Sequence, residues 1–302
     1  MLPDPSTVPS IQPEAVASAG ATVIDVRTPE AFSECHIPES ANHCVYEVSF
    51  MQSVPEAYPD KTAAIIVYGD GAPGKADLAA VGRLRALGYE SVSVLEGGLK
   101  QWKTAGLATE GTGPVESAPA SGTFALDTER SKVRWVGRNL TNQHDGEVAV
   151  KSGAMEVNPE GLPVGGEVVV DMQQMTCRDI EDKSLAGYLI AHLQNADFFL
   201  AEKYPTASFK MESATPIEGA SYGLPNYTVR GILNVRGQDL PLEVKALVEP
   251  VEGGYVFQSN FNFDRVALGA CYGSGRLFER LGMHLVNDLV TIDVTAFFTT
   301  QN

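Results

Sequence analysis

A chain of 302 residues has room for two ordinary domains, and a hydrophobic share of 44% gives each of them material for a core. The 22 Lys plus Arg are outnumbered by 38 Asp plus Glu, a net charge of −16, with 7 basic and 14 acidic residues in 1–113 and 15 and 24 in the remainder. Such a surface repels phosphate backbones and anionic headgroups, which excludes nucleic acid as a partner, and no run of about 18 apolar residues is present for stable membrane insertion.

The opening stretch MLPDPSTVPSIQPEA lacks a basic segment followed by an apolar core, so no secretory signal is expected. Four scattered cysteines form no disulfide framework, and a cytoplasmic location is expected. Short apolar runs follow: TVIDV from Thr22, AAIIVY from Ala63 and SVSVL from Ser91. They alternate with helical stretches such as Leu78 to Leu87. Runs that are continuously apolar are buried on both faces, which predicts an α/β unit with a parallel sheet covered by helices.

Two features of this half invite chemistry. Gly69-Asp-Gly-Ala-Pro-Gly-Lys75 fits the first seven positions of a nucleotide-binding P-loop, but Ala76 stands where a hydroxyl must reach Mg²⁺, and Pro73 removes an N–H donor. Cys35-His36 and His43-Cys44 offer soft ligands, but at a spacing that matches no standard zinc pattern. No metal and no cofactor are expected. Between Gly111 and Gly122 the composition turns to Gly, Pro, Ser and Ala, which reads as a linker.

Beyond it the hydrophobic period becomes two. Tyr255, Phe257, Phe261 and Phe263 alternate with Gln258, Asn260 and Asn262. Val290, Ile292, Val294, Ala296 and Phe298 share one face of the last run, and Ala207, Phe209 and Met211 one face of another. Many such strands with turns like Arg236-Gly237-Gln238-Asp239 predict an antiparallel sheet closed on itself. From about Asp182 to Leu193 the pattern breaks, and Leu185, Tyr188, Leu189 and His192 recur at helical spacing.

Residues 8–112 resemble the rhodanese family of sulfurtransferases through IDVRTPEAF (Ile24 to Phe32), HIPESA (His36 to Ala41), the loop after AAIIVY, and LEGGLKQWKTAGL (Leu95 to Leu107). In that family the residue after the central strand is the cysteine that carries sulfur as a persulfide. Here it is Gly69, and no cysteine occurs between Cys44 and Cys177. The resemblance therefore implies the fold without the nucleophile. It leaves a vestigial loop (Asp70, Gly71, Gly74, Lys75) and a vestigial pair, Asp25 and Arg27, with Arg27 expected to bind Asp25 or a loop carbonyl. Cys44 or Cys35 as an unorthodox sulfur carrier is the enzymatic alternative.

The second half resembles the polyisoprenoid-binding (YceI-like) family. The matching stretches are Phe124 to Gly137, His144 to Val157, Leu189 to Phe209, Val229 to Leu242 and Phe263 to Gly275. This resemblance implies an eight-stranded lipocalin-like β-barrel with a helix near one end and an elongated apolar ligand inside. Expected ligand contacts are Trp135, Phe198, Phe199, Tyr204, Phe209, Phe257, Phe261 and Phe263. His144, His192 and Arg265 are expected either to meet a headgroup or to hold structure. About 15 buried methylenes would contribute roughly 12 kcal/mol gross, against an association cost of about 4–15 kcal/mol, so a long chain binds without many polar contacts. The domains are expected at 1–112 and 123–302, joined by 113–122. An apolar small molecule is the expected partner, with pairing of barrels into a homodimer and a protein partner for the first domain. A barrel filled by its own side chains would make both domains scaffolds instead.

Overall fold

Short strands of Ile, Val and Tyr build a five-stranded parallel sheet in the first unit. Its strands are β1 (Ser10–Ile11), β2 (Thr22–Asp25), β3 (Ala41–Asn42), β4 (Ile65–Tyr68) and β5 (Val92–Leu95), in the order β1-β5-β4-β2-β3. All four side chains of the central β4 are buried, the signature of a strand covered on both faces. Its alternate residues feed separate cores. Ile65 and Val67 join Phe50 and Val54 of α2 (Phe50–Ala57) and Val81 and Leu84 of α3 (Ala76–Ala86), while Ile66 and Tyr68 join Leu99 and Trp102 of α4 (Gly98–Thr104). The remaining helix, α1 (Pro29–Glu34), starts with Pro at its first position behind Thr28, whose hydroxyl accepts from the Ala31 N–H.

The computed structural model describes residues 2–72, 74–113 and 121–300, and the chain divides into two compact units at residues 116 and 117. Pro73 and most of the expected linker, 114–120, lie outside the described residues. The flanks of that linker are engaged. Thr112 and Gly113 donate to the carbonyls of Ser33 and Glu34, and Gly122 opens a strand.

That strand is β6 (Gly122–Arg138). With β7 (Gln143–Val157), β8 (Pro163–Met175), β9 (Thr206–Pro216), β10 (Tyr227–Val235), β11 (Gln238–Val251), β12 (Gly254–Asp264) and β13 (Leu289–Thr300) it forms a closed antiparallel barrel. The alternation read from sequence sets the inward faces, since a one-residue slip would turn every apolar side chain outward. The β10–β11 hairpin turns at Arg236 and Gly237 with φ of 56° and 65°, a mirror-type turn that suits the twist of its strands. Only glycine fits the second position, because a Cβ there would lie 2.7 Å from the Tyr204 ring.

One helix, α5 (Lys183–Gln194), stands at the end of the barrel where β6, β8, β10 and β12 finish. Asp182 caps it by accepting from the N–H groups of Ser184 and Leu185. Gln194 Nε2 pins its far end by donating to the carbonyls of Met172 and Gln173. The helix expected from the spacing is present; of the residues that gave it, Leu189 and His192 line the barrel interior with Leu193, whereas Leu185 and Tyr188, one turn nearer its start, are 58% and 74% exposed.

Candidate functional site: an apolar cavity in the barrel

The barrel encloses a cavity of about 370 Å³. Its wall runs from Met155, Met211, Val244 and Phe298 in the depths to Arg138, Asn139, Asn142, His144, Leu189 and His192 at the helix end. There it reaches Met283, which is exposed, so this end is the mouth. The opposite end is packed by Phe124 edge-on to Tyr255 (5.0 Å between centroids) with Val229, Ala246 and Val248, all buried. The interior is thus neither fully plugged nor a through-channel.

Of the residues singled out from sequence, Trp135, His144, His192, Phe198, Phe199, Phe209, Phe257, Phe261, Phe263 and Arg265 all line the cavity. Tyr204 does not. It precedes β9, and its ring covers the backbone of Gly237 on the β10–β11 turn. The sequence reading missed the methionines Met155, Met172, Met175 and Met211 as wall residues. Met155, Met172 and Met211 stand in the inward register of their strands, while Met175 comes inward past an irregularity in the β7–β8 pairing that alternation does not reveal. Unbranched thioethers give that wall conformational adaptability.

The polar groups at the mouth are held by the protein itself. His144 Nδ1 lies 2.8 Å from Asp179 Oδ2, and the other Asp179 oxygen accepts from the Asp145 N–H at 2.9 Å. Burial works against the Asp179 charge, but these hydrogen bonds prevail and hold its carboxyl at about 2. His192 Nε2 lies 3.2 Å from Asp197 Oδ2, and its ring meets Phe198 and Tyr272 edge-on at 5.0 and 4.8 Å. Arg265, almost fully buried, gives Nε to the Asn287 carbonyl and Nη2 to that of Val286, both at 3.0 Å, and Nη1 to that of Ala270. Its guanidinium also stacks over Phe198, 5.5 Å from the ring centroid. Of the two roles open to Arg265, the geometry favours holding the 265–288 loop. Trp135 is different: its side chain is buried on the cavity wall, and its Nε1 has no hydrogen-bond partner among the described residues.

In the first unit, Gly69 does follow the central strand directly and is buried. The loop beyond it is tied to α4, where Leu99 and Lys100 donate to the carbonyls of Gly69 and Asp70 at 2.9 and 3.1 Å. Arg27 is spent internally. It contacts Asp25 at 2.6 Å, Asp70 at 3.1 Å and the Cys35 carbonyl at 2.5 Å, and although burial opposes its charge, the paired carboxylates raise its pKa. Lys75 is exposed, and Gly71 and Gly74 close a tight turn on each other. Cys44, two residues beyond the edge strand β3, is buried. His36 Nδ1 is turned to the Phe32 carbonyl and His43 Nδ1 to Ser53, and no cluster of three metal-ligating side chains occurs among the described residues.

Comparison with known proteins matches each unit to a family. A YceI-like domain matches residues 124–298 and a rhodanese-like domain residues 12–105. The thiosulfate sulfurtransferase GlpE of Pseudomonas syringae pv. syringae (strain B728a) is 31% identical over 100 residues, which is 32% of this chain and 86% of the relative. Among solved structures, Burkholderia cenocepacia BcnA is 20% identical with a TM-score of 0.44, over 57% of this chain and 98% of its own. A polyisoprenoid binding domain from Saccharophagus degradans is 12% identical, also with a TM-score of 0.44, over 60% of this chain and 100% of its own. No helix among the described residues is long and apolar enough to cross a membrane. A parallel sheet wound with helices, followed by a closed eight-stranded barrel, agrees with both matches, and the chain belongs to the YceI-like family through its second unit and to the rhodanese-like family through its first.

Proposed function

We propose that the barrel binds an elongated apolar lipid of isoprenoid type, as carrier, store or sensor, and that the rhodanese-like domain docks or regulates without transferring sulfur. The cavity carries this reading: about 370 Å³, walled by Met, Val, Leu and Phe side chains and reaching the surface at one end. That volume falls within the range of about 300–1,000 Å³ common for small-molecule sites, and an apolar wall selects its ligand by shape and dryness. Native mass spectrometry after incubation with a polyprenyl lipid is expected to show one lipid per barrel. Failure to take up any prenyl or acyl chain would sink the reading.

Gly69 supports the non-catalytic half, since hydrogen is all that this position offers a sulfur atom. Buried Cys44 is poorly placed to replace it. No thiocyanate is expected from thiosulfate and cyanide; turnover abolished by Cys44→Ser or Cys35→Ser would revive the enzymatic alternative. The four cysteines are all free, which suits a reducing compartment such as the cytoplasm. Pairing of barrels and a protein partner for the first domain belong to the same reading, checked by light scattering and by pull-down with the full chain.

A further inference from the structure

We infer that the apolar rim of the barrel's mouth is a docking surface for a zwitterionic lipid bilayer, on which cargo passes between membrane and cavity without crossing water. This rests on the lipid-binding reading of the barrel and adds the surface at which the lipid is exchanged.

The starting observation is a set of large apolar side chains left in water around one opening. Leu140 stands on the β6–β7 turn, Leu185 and Tyr188 on α5, and Leu277, Phe278 and Met283 on the loop between β12 and β13, all of them 50–74% exposed. The three segments lie at the end where the cavity opens, since Asn139, Leu189 and Met283 belong to its wall. No residue of α5 is fully buried, and its stripe of Leu185 and Tyr188 is left uncovered. Apolar residues exposed singly are ordinary, but a group gathered around one opening marks a contact site.

Charge identifies the occupant. The chain carries −16, yet the segments that connect strands at the mouth, 139–142, 176–205, 236–237 and 265–288, hold seven basic and seven acidic residues. Those at the foot, 158–162, 217–226 and 252–253, hold Glu160, Glu218 and Glu252 and no Lys or Arg. A surface in contact feels mainly the charges within a Debye length, about 8 Å at physiological salt. The mouth therefore meets a zwitterionic headgroup layer without repulsion, whereas the remainder of the chain still disfavours an anionic one. Tyr222 and Leu224 are exposed at the foot, but the charges of its connections are all acidic and the barrel is packed shut behind them.

Relief separates a bilayer from a folded partner. The apolar side chains come from separate segments interspersed with ion pairs: Arg276, next to Leu277 in sequence, holds Asp264 and Asp288 at 2.7 and 2.6 Å. A folded partner would have to match that whole relief. A fluid headgroup layer admits each apolar side chain separately and keeps the charges hydrated. Tyr188, with an apolar ring and a polar tip, suits such a boundary.

The test is flotation of the full chain with vesicles of phosphatidylcholine and, separately, of phosphatidylglycerol. The chain is expected to float with phosphatidylcholine and less with phosphatidylglycerol. The triple variant Leu185→Gln/Tyr188→Ser/Phe278→Ser should bind phosphatidylcholine roughly tenfold or more weakly, while taking up the same amount of a polyprenyl lipid by native mass spectrometry. Transfer of that lipid between phosphatidylcholine vesicles should quicken with acceptor concentration in the wild type and lose that dependence in the variant. No flotation, equal flotation of the variant, or tighter binding to phosphatidylglycerol would overturn the inference and leave lipid binding standing. Self-association that the variant abolishes, without vesicle binding, would overturn it in favour of a second copy of the chain. Vesicle binding that depends on the rim but with no polyprenyl lipid taken up would support the docking surface and sink the lipid reading. Should the triple variant not fold, Tyr188→Trp decides: its emission is expected to shift to the blue with phosphatidylcholine, against buried Trp102 and Trp135, and an unmoved emission would overturn the inference.

Discussion

Single residues decide what the backbone of each unit admits. At Gly69 an added Cβ would lie 3.4 Å from Ala76 Cβ, an ordinary contact, so the backbone still admits a side chain there. Gly69→Cys is expected to fold within about 1 kcal/mol of the parent in urea denaturation and to gain thiocyanate formation above the parent's blank. A folded variant with no gain would mean that a thiol at this position is not enough for sulfur transfer. Gly98→Ala is the opposite case: at φ 59° its Cβ would lie 2.6 Å from both Gly69 O and Gly71 N, and a loss of about 2 kcal/mol or more is expected in the same assay. In the barrel, Arg265→Met strands three carbonyls, and we expect a loss of about 3 kcal/mol whether or not lipid is present. Asp179 sets an acid limit. Its folded pKa of about 2 lies below the unfolded value of about 3.9, so its contribution is complete above about pH 4 and is lost as pH falls through about 2. Asp179→Asn should flatten the melting temperature against pH in that window.

At the scale of elements, alternation was legible because a strand has only two faces and the core claims one. That made Phe257, Phe261 and Phe263 readable as one face of a strand and Phe209 as one face of another, while a place in a cavity wall was what the family resemblance implied. Helix α5 was less legible: spacing of three and four says which residues share a stripe, not whether another element covers it. Leu185 and Tyr188 share a stripe and face water. Their replacement by Gln and Ser should change stability by no more than about 0.5 kcal/mol in denaturant titrations, and a larger loss would place them in a contact. Tyr204 was misread because its ring serves a turn made by a distant hairpin, which no local pattern reveals. The orphan Nε1 of Trp135 could not be read from sequence at all, because satisfaction of a donor is a property of neighbours brought together by the barrel's closure. Gly146→Ala tests that neighbourhood, since its Cβ would meet both the Thr176 carbonyl and the indole. Lipid binding is expected to weaken, with the Trp135 emission shifted.

The molecule as a whole joins two units with separate cores, and ligand stabilisation should respect that division. Calorimetry is expected to show two transitions, of which lipid raises only the one that Arg265→Met lowers, by about 2.7 kcal/mol at a hundredfold excess over Kd. A single transition, or a shift of both, would show that the units unfold as one.

Among the described residues, the packing of Phe124 against Tyr255 at the foot of the barrel leaves the cavity a single doorway, beside α5 and Tyr272. A vessel with one neck fills and empties by the same route. Anything that tightens the edge-on contact of His192 with Tyr272 would therefore slow loading and unloading by the same factor, prolonging the cargo's stay without changing how much of it is held at equilibrium.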